Sequence, residues 1–136
     1  MDAKINLDAL DTERGGEQGF DLELVGPDGA PLPGSLKIRG YDSTTYQQKL
    51  DEQQRRRLRH LATQKIPTVE EMDAETLEAA SVLIIGWTCP FELNGQPFEY
   101  SPDNAQTLLR RFRWLRQQVD RAAGNRANFL PGSSAS

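Results

Sequence analysis

Among its 136 residues the chain has one cysteine, Cys89, and one histidine, His60. A lone cysteine excludes an internal disulfide framework and a multi-cysteine zinc site, and it fits a reducing compartment. Cys89 has no histidine near it in sequence and is followed by Pro90, so nothing local would activate the thiol. A buried structural cysteine is expected. His60 lies in a polar, helix-forming stretch and reads as a surface residue. No glycine-rich loop followed by Lys-Ser/Thr is present to cradle a phosphate, and the carboxylates show no metal-ligand spacing with histidine or cysteine. No catalytic, cofactor or metal site is therefore expected, and a binding or assembly protein is favoured over an enzyme.

A basic excess is also missing. Sixteen Lys and Arg stand against twenty Asp and Glu, a formal net charge of −4. Nucleic acid is thus not the default partner. The longest apolar run, Ala79 to Trp87, contains Ser81 and Gly86 and falls far short of the roughly 20 residues that cross a bilayer. The opening MDAKINLDALDTERGG has neither the basic onset nor the apolar run of a secretory leader. A soluble protein working inside the cell that makes it is expected, with no membrane partner. Hydrophobic residues at 37% and charged residues at 26% suit one modest core.

Along the chain, residues 1–19 are acidic and polar and read as a flexible N-terminal arm, in which Ile5 and Leu7 could add an edge strand to a partner. Residues 20–130 read as a single α+β domain, and 131–136 as a flexible tail. Phe20, Leu22 and Leu24 alternate with acids, and Leu36 and Ile38 alternate with bases. This period-two pattern predicts a β-hairpin with a wide, proline-stiffened tip. Asp42 or Ser43 then opens a helix over 44–64. Its thin stripe of Tyr46, Leu50, Leu58, Leu61 and Ala62, interrupted by Gln53 and Gln54, predicts a long exposed helix with one neighbour, and a place for a second subunit to dock. The cluster Arg55, Arg56, Arg57, Arg59, His60 and Lys65 has three readings: a solvated helix face, a site for an acidic partner, or a phosphate-binding face.

Thr68 and Glu71 form a capping-box pattern for a second helix, expected to run to Ile85 with Gly86 as its stop. A buried strand over Val82–Trp87 is the alternative, because short apolar runs suit both. Asn94-Gly95 between Phe91, Leu93, Phe98 and Tyr100 predicts a second, short hairpin. Ser101-Pro102-Asp103 starts a last helix. Ala105, Leu108, Leu109, Phe112, Leu115, Val119 and Ala122 share its inner face. Trp114 lies off that stripe, beside Arg110 and Arg111, and is equally a core or a partner-binding residue. The fold class is α+β: a mainly helical small domain of about three main helices, with a hairpin at the N-terminus and a shorter one before the last helix.

Five short motifs follow in order: Gly86-Trp87; Asn94-Gly95-Gln96-Pro97-Phe98; Tyr100-Ser101-Pro102-Asp103-Asn104; Trp114-Leu115-Arg116-Gln117-Gln118-Val119; and Arg126-Ala127-Asn128-Phe129. Together with the upstream hairpin, the Gly40-Tyr41-Asp42-Ser43 turn and the glutamine-rich helix, this order resembles the tail assembly chaperones of long-tailed bacteriophages and prophages. Where that family commonly has proline before the tryptophan, this chain has Arg113, so its helix is expected to run straight through. The resemblance implies a non-enzymatic protein, the short form of a pair whose longer member arises by frameshift. Its implied partners are the tape measure protein, which it keeps soluble, and the major tail tube protein, whose polymerisation it assists. It also implies location in the host cytoplasm and absence from the mature virion. Candidate partner-binding residues are Tyr46, Leu50, Leu58, Leu61, Arg55, Arg56, Arg59 and Trp114, and self-association is expected through the 44–64 helix. A minor structural or tail completion protein, and a nucleic-acid-binding regulator using the 55–60 cluster, are the alternatives.

Overall fold

Helices and antiparallel hairpins alternate along the chain in a computed structural model that describes residues 3–131. A 3₁₀ turn at Leu7–Leu10 leads into α1 (Thr12–Gln18). Strands β1 (Phe20–Val25) and β2 (Pro31–Ile38) follow, then α2 (Thr44–Ala62), α3 (Val69–Ser81) and β3 (Ile84–Trp87). A small hairpin of β4 (Glu92–Leu93) and β5 (Gln96–Pro97) precedes α4 (Pro102–Arg111), α5 (Arg113–Gly124) and a closing 3₁₀ turn at Arg126–Phe129. The fold is α+β.

The three longer strands form one antiparallel sheet in the order β1-β2-β3. Asp21 stands opposite Lys37, while Glu23 faces Ser35. Leu24, Leu36, Ile38 and Ile84 from the sheet join Leu109, Leu115 and Val119 from α4 and α5 in a fully buried core. The side chain of Gln118 clamps helix to sheet: its Oε1 accepts from the Val25 amide at 2.9 Å and its Nε2 donates to the Val25 carbonyl at 2.6 Å.

Local capping chemistry acts as its residue types dictate. The Ser43, Thr68 and Ser101 hydroxyls each accept the amide three residues on, at 3.3, 3.1 and 3.0 Å, and so start α2, α3 and α4. Asn94 (φ 55°) and Gly95 (φ 75°) make the tight turn of the small hairpin.

Three expectations need correction. First, the stretch 1–19 is not a free arm throughout, because Thr12–Gln18 is a docked helix. Thr12 donates to Asp42 at 2.7 Å, Thr44 donates to Glu13 at 3.1 Å, and Glu17 accepts from the Thr45 hydroxyl and amide at 2.6 and 2.9 Å. Gly15 and Gly16 permit this close approach. A Cβ on Gly15 would sit 1.8 Å from the Phe129 carbonyl oxygen. Second, the helix after Thr68 ends at Ser81, and Ile84–Trp87 is a strand paired with β2, so Gly86 is a strand residue and not a helix stop. Third, the last helix is broken. Phe112 leaves the helical region (φ −116°, ψ 83°), and α5 starts anew with its Leu115 and Arg116 amides both donating to the Phe112 carbonyl at 3.0 Å. The tail expected at 131–136 lies outside the described residues apart from Pro131.

Candidate binding groove

Trp87 organises the neighbourhood of the groove. Its ring stacks on Phe98 at 5.7 Å and meets Phe91 and Tyr100 edge-on at 5.5 and 5.3 Å. Its indole N–H donates to the Phe98 carbonyl at 3.2 Å. The strand residue thereby holds the β4–β5 hairpin against the sheet, leaving the hairpin's outer aromatic face turned toward the α4–α5 bend.

The break at Phe112 supplies the facing wall. Because the backbone turns there, Phe112 and Trp114 come together edge-on at 6.3 Å, and the Arg111 guanidinium lies 5.6 Å from the Phe112 ring. Between the walls is a groove of ≈290 Å³. Phe91, Leu93 and Phe98 of the hairpin line one side, Leu108, Phe112, Trp114 and Leu115 the other, and Pro27 and Leu32 from the β1–β2 tip close the end. Glu92 is the one ionisable residue in the lining. Such a surface can take an aliphatic or aromatic side chain. Around the bend, Arg110, Arg113 and Arg116 line an open cleft faced by Glu70 and Asp73 of α3.

The eight candidate binding residues do not form one site. Trp114 is half-buried in the groove. Tyr46 is half-buried against Tyr41, ring centroids 5.0 Å apart, and burial pushes its phenol pKa up. Leu50 is half-buried, whereas Leu58 and Leu61 are exposed at the far end of α2. Arg55 and Arg59 are exposed there too. Arg56 pairs with Glu52 at 3.3 Å and Glu78 at 4.0 Å, and Arg57 pairs with Glu75 at 3.2 Å. Gln53, a break in the apolar stripe, is buried and donates to the Glu75 carbonyl at 2.8 Å, joining α2 to α3. The groove partners of Trp114 come from three distant stretches, so no local pattern joins them to it. Their aromatic composition is the available signal, and for Phe91 and Phe98 it favours a core reading over a binding one. The Cys89 thiol is buried, and that burial pushes its pKa up, so it stays protonated and weakly nucleophilic.

Comparison with known families decides the origin of this architecture. The family of YdaY prophage proteins matches residues 41–135. The chain belongs to that family. It is thus a protein of phage or prophage origin. No curated protein and no solved structure matches it. The matched region begins at Tyr41, within a hub of the fold: the Tyr41 amide donates to the Ala123 carbonyl at 3.1 Å, its hydroxyl to Asp120, and Arg126 donates to Asp42 at 2.6 and 3.1 Å. The family region supplies every groove residue except Pro27 and Leu32. No helix among the described residues is long and apolar enough to cross a membrane.

Proposed function

We propose that this prophage protein is a non-enzymatic tail assembly chaperone. It holds apolar seams of the tape measure protein, keeps that long helical protein soluble, and releases it as tail tube subunits polymerise around it. The observation that carries the proposal is the groove at the α4–α5 bend: apolar almost throughout, ≈290 Å³, with Trp114 and Phe112 on its wall. Its size suits one or two anchor side chains of an amphipathic helix, the helix-in-groove mode of recognition. The phage family and the ordered motifs of 86–129 support the same reading. Such a protein acts in the host cytoplasm and is absent from the finished particle.

Co-expression with the tape measure protein of the same prophage tests this. The soluble yield of that protein should rise, and the two should co-purify. An unchanged yield without co-purification would reject the proposal. Mass spectrometry of purified particles separates it from a minor structural or tail completion role, which requires stoichiometric presence in the virion. Binding of nucleic acid through the 55–60 cluster is disfavoured by the ion pairs that engage Arg56 and Arg57.

A further inference from the structure

Ten large hydrophobic side chains are exposed among the described residues, and eight of them fall in two places. Ile5, Leu7 and Leu10, exposed by 78, 75 and 53%, lie on the segment before α1. Leu58, Leu61, Ile66, Val69 and Met72 gather around the α2–α3 turn, with Ile66 at 85% and Val69 at 65%. The two patches are oppositely charged. Residues 2–13 hold four acids and one base, whereas residues 55–66 hold five bases and no acid. Even the minority charges match in kind, since Lys4 on the arm has Glu70 and Glu71 available at the start of α3.

The arm cannot cover the turn of its own chain. A hydrogen bond donated by Thr12 to Asp42, and bonds accepted by Glu13 and Glu17 from Thr44 and Thr45, fix α1 at the start of α2. From Thr44 to Leu61 along the helix is about 25 Å at 1.5 Å per residue. From Thr12 back to Ile5 a fully extended chain spans only roughly 23 Å, and Leu7–Leu10 is wound into a 3₁₀ turn that shortens it further. We infer that residues 3–11 of one copy dock on the α2–α3 turn of a second copy. The contact is heterologous, so it repeats head to tail and builds rings or filaments of many copies. This inference does not rest on the chaperone reading.

Sedimentation velocity of the full chain tests it with two surface variants, Leu7→Asp in the arm and Ile66→Asp at the turn. Both side chains are exposed in the single chain, so at concentrations low enough to keep the natural chain monomeric the thermal melts of both variants should match its own. The natural chain should sediment as a concentration-dependent series of oligomers. Each variant alone should shrink to monomer. Mixed in equal amounts they should stop at a heterodimer, because one live arm then meets one live turn. A monomeric natural chain, a variant that assembles like it, or a mixture that stays monomeric would each overturn the inference.

Discussion

Replacing Arg113 by proline should leave the protein as stable as before or make it slightly more so. Arg113 is the first residue of α5, and its amide donates to no backbone carbonyl. Proline removes an amide hydrogen and fixes φ near −65°, both harmless at the first position of a helix. The preceding residue, Phe112, has already left the α region that proline disfavours for its neighbour (φ −116°, ψ 83°). The loss of unfolded-state freedom is worth about 0.4–1 kcal/mol. Removing a cation from the positive end of the α5 dipole adds about 0.3 kcal/mol. For a chain of this size the melting temperature should rise by about 1–4 °C. The control is Gln117→Pro, an exposed position inside α5, where proline costs about 3 kcal/mol or more and should lower the melting temperature by about 10 °C. Circular-dichroism melts of the two variants suffice. If Arg113→Pro fell as far as Gln117→Pro, the helix would run unbroken through 112–113, and the groove built on that break would not exist.

Trp87→Leu removes three ring contacts and the bond to the Phe98 carbonyl, a loss of about 3 kcal/mol; hydrogen exchange should quicken most at 91–98, and uniform protection would contradict Trp87's anchoring role. Gly34→Ala should destabilise by about 2 kcal/mol, because Gly34 has φ +90° and a Cβ there would lie 2.5 Å from the Cys89 Cα; Gly86→Ala, with open space around it, should shift denaturant midpoints far less. Asp42 is held below the ordinary carboxylate range, first by hydrogen bonds from Arg126 and then by one from Thr12, and Glu17 is lowered chiefly by the Thr45 hydroxyl. Both therefore stabilise the fold while ionised, above about pH 4, and that contribution disappears as the pH falls through their lowered folded-state values. Exchange protection of 12–18 should fade on acidification, and Asp42→Asn together with Glu17→Gln should flatten that response; an unchanged pH profile in the double variant would count against it.

Where a structural feature is decided within a few residues, its chemistry is readable along the chain. The three hydroxyl caps, the Asn94-Gly95 turn and the alternation of β1 and β2 are of this kind, and the helix starts and hairpins follow from them. Features decided by distant partners are not. Ile84–Trp87 is a strand because β2 offers it a ladder, with Trp87 opposite Leu36, and no local pattern distinguishes that from a helix end. The break at Phe112 has neither glycine nor proline to announce it, and it coincides with the burial of Leu108, Leu109 and Leu115 on one side and the groove on the other. Gly15 and Gly16 look like freedom in the sequence and act as clearance in the fold. The candidate site shows the same division: Trp114 stood out by its phase on the helix, whereas Phe91, Leu93 and Phe98 become its companions only through Trp87.

The most direct test of the groove is to spoil its wall and measure capture of the tape measure protein. Trp114→Asp puts a charge into the lining, while Leu58→Asp, on exposed α2, leaves the groove intact. Both should keep native circular dichroism and be co-expressed with the tape measure protein. Soluble, co-purifying tape measure protein should be lost with Trp114→Asp and retained with Leu58→Asp. Equal rescue by a folded Trp114→Asp variant and the natural chain would contradict the account.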